Sequence, residues 1–289
     1  MSVDVHKLLA EPEPEHDWIV EGHLDRGDRA IITGYEGHGK STLIRQYGVQ
    51  VAAGITPFAL DRIPAKRVLL IDFENSRRQV RDHLRPLAEV AGERLLEDQL
   101  FVEVRPEGVD LRQQTDRNWL YGQLQDTAPD LVLLGPLYKM NSGDPGQEEV
   151  ANVLAAQLDY LRTHFACALI IEAHCPHASA GNPRVNRPYG ASLWMRWPEF
   201  GMFLAKDGAV TNWRNPREER DWPTKMHRGN PWPWEMEPAK VTFAHLIALV
   251  ETLGYLPSTR EVEKELGCSR NTASRLINAN RDEWDKLLK

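Results

Sequence analysis

From Arg29 onward, short apolar runs alternate with longer stretches in which apolar residues recur at helical spacing. Ala30–Thr33, Arg67–Asp72, Leu100–Val104, Leu131–Leu134 and Ala168–Ala173 read as strands. Ser41–Ala53, Gln79–Val90, Asp116–Gln125 and Glu148–Phe165 read as helices between them. The last carries Val150, Leu154, Leu158 and Leu161 on one face, and Pro86 is expected to break or kink the second. Strands alternating with helices predict an α/β core with a mostly parallel central sheet covered on both sides.

Beyond His174 the pattern changes. Residues 174–190 are rich in Gly, Pro, Asn, His and Arg and read as a long loop. Phe200–Leu204 and Ala209–Trp213 flank Asp207-Gly208, a hairpin signal. The stretch 215–234, with Trp222, Trp232 and Trp234, is expected to finish the sheet and wrap its edge, and Trp194 and Trp197 are expected to pack. Three helices follow: Phe243–Leu253, a second reaching Leu266 with Glu261 as capping-box partner of Ser258, and Arg270–Asn278 after a turn at Gly267-Cys268-Ser269. That layout is a helix-turn-helix. The predicted organisation is a flexible lead-in over 1–17, the α/β core over 18–237 and a small all-α domain over 240–289.

Composition narrows the partners. Of 289 residues 42% are hydrophobic, an ordinary globular share. A formal charge of −7 gives no general attraction to nucleic acid, so any such contact must come from local basic patches. The three cysteines, 167, 175 and 268, form no CxxC pair and fit a reducing cytoplasm. No secretory leader is expected, and no apolar run approaches the ~20 residues that span a bilayer.

The chemistry centres on Gly34-Tyr35-Glu36-Gly37-His38-Gly39-Lys40-Ser41-Thr42, which fits G-x-x-x-x-G-K-[ST] between a strand and a helix. Glycines let the backbone turn its amides inward, and the helix N-terminus favours an anion. Lys40 is placed to reach the β- and γ-phosphates of ATP, and the Ser41 hydroxyl to hold Mg²⁺. The second strand ends Asp72-Phe73-Glu74; either acid could orient or deprotonate a water, and Asp72 is a further magnesium candidate. The usual magnesium partner, an Asp ending the Leu131–Leu134 strand, is replaced by Gly135. His174 closes the next strand and could sense the γ-phosphate; with Cys175 and His177 it is too crowded for a usual zinc site.

On these residues the chain resembles, over about Trp18 to Trp234, the RecA-fold ATPases of the hexameric RepA and DnaB helicase type. Trp18-Ile-Val-Glu-Gly22 precedes the first strand, the phosphate loop follows, and Glu74 and His174 match the catalytic glutamate and the sensor. Lys225-Met-His-Arg228-Gly229 resembles the element that inserts into a neighbouring subunit's site. The resemblance implies a homo-oligomeric ring, expected as a hexamer, with ATP and Mg²⁺ between subunits and Arg228 stabilising charge in its neighbour. It implies that the loop after His174 touches single-stranded DNA through Arg184, Arg187 and Tyr189. The helical domain is similar to helix-turn-helix readers of duplex DNA, with Arg270, Asn271 and Arg275 on its second helix. The function implied is a DNA-directed ATPase, a replicative helicase or remodelling motor. Alternatives are an ATP-dependent DNA-binding switch with weak turnover, which Gly135 supports, and a small-molecule kinase sharing only the loop.

Overall fold

The computed structural model describes residues 2–12, 15–178, 183–236, 243–266 and 270–287, with only the backbone of 271, 272 and 282. The chain forms two compact units, 1–235 and 236–289.

The first unit opens with a short exposed helix, α1 (Val5–Ala10), within the 1–17 lead-in; Asp4 caps it. A small antiparallel ribbon follows, β1 (Trp18–Val20) with β2 (Leu24–Asp25). The core then runs β3 (Arg29–Gly34), α2 (Lys40–Ala52), β4 (Val68–Asp72), α3 (Arg77–Ala91), β5 (Leu100–Val104), α4 (Gln114–Thr127), β6 (Leu131–Gly135), α5 (Glu148–His164) and β7 (Ala168–His174). It closes with the hairpin strands β8 (Phe200–Leu204) and β9 (Val210–Arg214), then a second ribbon, β10 (Met226–Arg228) with β11 (Trp234–Met236).

Seven strands form one sheet in the order β5-β4-β6-β7-β3-β8-β9, parallel except for β9. The sequence explains its two faces. Ala30 and Ile32, Val68 and Leu70, Leu131 and Leu133, and Ala168 and Ile170 pack toward α2. Their neighbours Ile31, Leu69, Ile71, Val132, Leu134, Leu169 and Ile171 pack with Leu120 and Leu124 of α4 and Leu154 and Leu158 of α5. Period-2 alternation thus splits each apolar run between two cores. Trp194 and Trp197 are buried in the second of them.

Two local expectations are revised. Helix α3 runs through Pro86 to Ala91, because Val80, Leu87 and Ala91 bury along it and a Ser76–Gln79 capping box secures its start. The stretch 215–234 does not add a full strand to the sheet. It touches the edge strand through one bridge, Ala209 to Lys225, and then forms its own ribbon, whose Met226 and Trp234 are buried against the α2 face.

The second unit holds α6 (Phe243–Leu253), α7 (Thr259–Leu266), α8 (Arg270–Ala279) and a short α9 (Arg281–Trp284) that the sequence pattern did not predict. Leu246, Val250, Val262, Ala273, Ile277 and Trp284 form its core. Ser258 and Glu261 make the expected capping box. The turn predicted at 267–269 lies outside the described residues. No described helix is long and apolar enough to cross a membrane.

Candidate nucleotide site

Strand β3 delivers the glycine-rich loop to the carboxyl edge of the parallel sheet, where α/β folds bind ligands. Gly37 and Gly39 take φ values of 73° and 88°, a left-handed backbone that a side chain would strain. A Cβ on Gly39 would also collide with the guanidinium of Arg228. No side chain caps the N-terminus of α2, so its first amides keep their capacity for an anion. Lys40 is almost fully buried at the helix start, followed by Ser41 and Thr42, both half-buried. Further along, Gly48 lets α2 lie close on the sheet: a Cβ there would come within 2.5 Å of Leu133.

Two buried carboxylates face this helix. Glu172, on β7, accepts a hydrogen bond from Ser41 Oγ at 2.7 Å, and the same oxygen lies 3.5 Å from Lys40 Nζ. Asp72, at the end of β4, is bound by Arg45 Nη2 at 2.7 Å. It also accepts from the backbone amides of Glu74 at 2.9 Å and Asn75 at 2.8 Å, and from the Asn75 side chain. Burial alone would raise the Asp72 carboxyl; those amides and the guanidinium bring it below its ordinary value. Asp72, considered above as a magnesium partner, therefore holds the turn that carries Glu74. Between the two acids a cavity of about 20 Å³ is lined by Ser41, Arg45, Asp72, Gly135 and Glu172.

Glu74 and His174 are brought together at the carboxyl edge of the sheet, with Nε2 and Oε2 3.8 Å apart. His174 holds the Glu74 carboxyl below the usual range, burial opposes it, and the charge of Lys40 adds to the lowering. An ionised Glu74 at neutral pH is the form a general base needs. The His174 carbonyl accepts from the Tyr189 amide at 2.7 Å, so the sensor position is bonded to the loop that follows.

Arg228 lies against the phosphate loop of its own chain. Its Nη2 donates to the His38 carbonyl at 3.2 Å, and its guanidinium stacks 3.8 Å from the ring of Trp234. The Trp234 indole in turn donates to the Gly39 carbonyl at 3.2 Å, while Gln46 bonds both the amide and the carbonyl of Trp234. The β10–β11 ribbon thus closes over the loop. Lys225 is taken up by Asp207 at 2.7 Å.

Arg184 is not free either. It forms a two-pronged pair with Glu36, at 2.6 and 2.7 Å, and its guanidinium lies 4.2 Å from the ring of Tyr35. The Tyr35 hydroxyl donates to the Arg184 carbonyl at 3.0 Å, and His38 bonds the Leu204 carbonyl at 3.0 Å. Arg187 and Tyr189 are exposed, as are Arg270 and Arg275; the side chain of Asn271 lies outside the described residues.

The chemistry of this site fits a triphosphate with Mg²⁺. Free helix amides and Lys40 meet phosphate oxygens, and the Ser41 hydroxyl beside a carboxylate-lined cavity supplies the oxygen donors that magnesium takes. A profile of the AAA domain family matches residues 1–180, more than half the chain. The chain belongs to the AAA domain family. It is a P-loop ATPase of RecA type. Among solved structures, the KaiC-like protein PH0186 from Pyrococcus horikoshii OT3 matches 78% of this chain and 96% of its own length, with a TM-score of 0.51 and 14% identity. That likeness shows the fold alone. No curated protein matches the chain.

Sequence reasoning missed three residues of this P-loop ATPase: Glu172, Arg45 and Trp234. Glu172 did leave a signal, a single charged residue inside the buried run Ala168–Ala173. A buried charge needs a partner, and Lys40 and Ser41 are it.

Proposed function

We propose that this P-loop ATPase hydrolyses ATP and acts on single-stranded DNA as a motor of the RepA and DnaB kind. Lys40 and the loop amides bind the phosphates, and Ser41 engages Mg²⁺, which neutralises charge on the phosphates when bound. Glu74 orients or deprotonates the attacking water, and His174 senses the γ-phosphate. Arg228 adds a positive charge in its own chain's site rather than in a neighbour's, since its guanidinium already rests on His38 and Trp234.

The observation that carries the reading is that His174 lies 3.8 Å from Glu74 through its ring and accepts from the Tyr189 amide at 2.7 Å through its carbonyl. A change at the γ-phosphate is thereby connected to the segment 183–190, whose Arg187 and exposed Tyr189 suit a phosphate and a base. The 236–289 unit supplies duplex contacts through a helix-turn-helix, with Arg270, Asn271 and Arg275 on its second helix. The working form is a homo-oligomeric ring, expected as a hexamer, in the cytoplasm.

Steady-state phosphate release titrated with single-stranded DNA tests this. Stimulation is expected, together with an ATP-dependent rise in sedimentation coefficient. Equal rates with and without DNA rule out the motor. The second reading, an ATP-dependent DNA-binding switch, is favoured by the Arg184–Glu36 pair, which ties the DNA-facing segment to the phosphate loop. It predicts ATP-dependent DNA affinity with turnover that DNA leaves slow.

A further inference from the structure

In a parallel sheet, residues level with one another on adjacent strands project to the same face. Strands β6 and β7 pair Leu134 with Ile171, so the next residues, Gly135 and Glu172, stand side by side facing α2. They compete for one space. A Cβ on Gly135 would come within 2.5 Å of the Glu172 Cβ and 3.4 Å of its Cα, the first closer than carbon atoms approach. Residue 135 goes without a side chain, and Glu172 occupies the room.

The magnesium carboxylate expected at the end of β6 is therefore absent from one strand and present on the next. The shift is about 4.8 Å across the sheet. It is directed toward the phosphate loop, because β7 pairs with β3, Glu172 level with Ile32. Ser41, the hydroxyl that a P-loop offers to magnesium, already donates to Glu172 at 2.7 Å. The adjoining cavity of about 20 Å³ is large enough for a single water or a small ion. Asp72 lines the same cavity, but Arg45 and the amides of Glu74 and Asn75 engage its oxygens. Among the described residues no group of three or more His, Cys, Asp or Glu is placed to hold a metal without help. That suits Mg²⁺, which binds through one or two protein oxygens, waters and nucleotide phosphates.

We propose that Glu172 is the carboxylate partner of nucleotide-bound magnesium in this chain, acting from β7 in place of an aspartate at the end of β6. This rests on the P-loop ATPase reading. It makes Gly135 a complement to Glu172 rather than a sign of a defective site.

The test uses the full chain, ADP, and Mn²⁺ as a spin-active stand-in for Mg²⁺. Electron paramagnetic resonance gives the Mn²⁺ affinity of the protein–ADP complex, and calorimetry in EDTA gives the metal-free ADP affinity. Glu172→Gln is expected to weaken Mn²⁺ by about 10–100-fold while ADP in EDTA changes far less. The swap Glu172→Gly with Gly135→Asp, which removes the Cβ at 172 that a side chain at 135 would strike, is expected to recover most of the lost Mn²⁺ affinity. Unchanged Mn²⁺ affinity in Glu172→Gln overturns the proposal. So does an equal loss of ADP with and without metal, which would make Glu172 only a tether for Lys40 and Ser41. Should Glu172→Gln fail to fold by circular dichroism, the swap decides alone: recovered Mn²⁺ binding supports the proposal, and ADP binding without it ends it. If the wild-type chain binds no ADP, the nucleotide reading itself falls, and that result is distinguishable from the others.

Discussion

Asp72 and Glu172 are both buried carboxylates on the α2 face of the sheet, and both answer to side chains of that helix. Their surroundings differ. Asp72 is surrounded by a guanidinium, two backbone amides and a side-chain amide. Its bonds fix α2 to the turn that carries Glu74. Glu172 has Ser41 as its hydrogen-bond partner and Lys40 as its ion-pair partner among the described residues, the two side chains that a nucleotide and its metal would recruit. A carboxylate whose acceptor sites are filled by the scaffold is part of the scaffold. One whose partners are themselves ligand groups belongs to the site.

The largest expected effect is at the shared partner. Lys40→Ala should lower ATP turnover by about 10²–10³-fold, measured as phosphate release. Turnover near that of wild type would remove Lys40, and with it the contrast, from the site. Arg45→Leu strips the scaffold carboxylate of its buried cation. Breaking such a pair costs about 3–5 kcal/mol, which urea unfolding would read as a lower midpoint. An unchanged midpoint would mean that Asp72 is not the fastening described here.

A third test lies away from both acids, in the aromatic cluster under the β1–β2 turn. His23 is buried against Trp222, Phe58 and Tyr47, and its Nδ1 has no hydrogen-bond partner among the described residues. Burial pushes its pKa from 6.5 down to about 4, with Asp221 opposing. The unfolded chain takes up a proton in that interval and the folded one does not. Stability should therefore be fully present above pH 6.5 and fall by about 3 kcal/mol as pH drops toward 4. His23→Phe should flatten that slope in denaturant titrations; an unaltered slope would move the effect to another group. The smallest effect concerns the exposed Glu36–Arg184 pair. Glu36→Gln should leave the unfolding midpoint nearly unchanged and increase protease cleavage within 183–190. A large loss of stability would contradict its surface character.

Much of this was legible in the sequence because it is local. The loop from Gly34 to Thr42, the alternating strands and the Ser258–Glu261 cap each depend on residues close along the chain. What escaped depends on register and on distant packing. Glu172 reaches Ser41 across 131 positions, and Trp234 reaches Gly39 across 195. Nothing near Arg228 in sequence indicates that it will lie on its own phosphate loop, a placement fixed by the β10–β11 ribbon and Trp234. Helix α3 survives Pro86 for a similar reason: burial of Leu87 and Ala91 outweighs a lost hydrogen bond. The short helix α9 is held by Trp284, whose place in the core of the second unit only packing reveals.

The central claim is that ATP is hydrolysed at the carboxyl edge of this sheet with Glu74 as the acting base. Phosphate release at saturating ATP and Mg²⁺, compared between the wild-type chain and Glu74→Gln at equal nucleotide occupancy, tests it most directly. A fall of about 10²-fold or more, with ATP still bound, is the predicted result. Equal rates in the two proteins would contradict it.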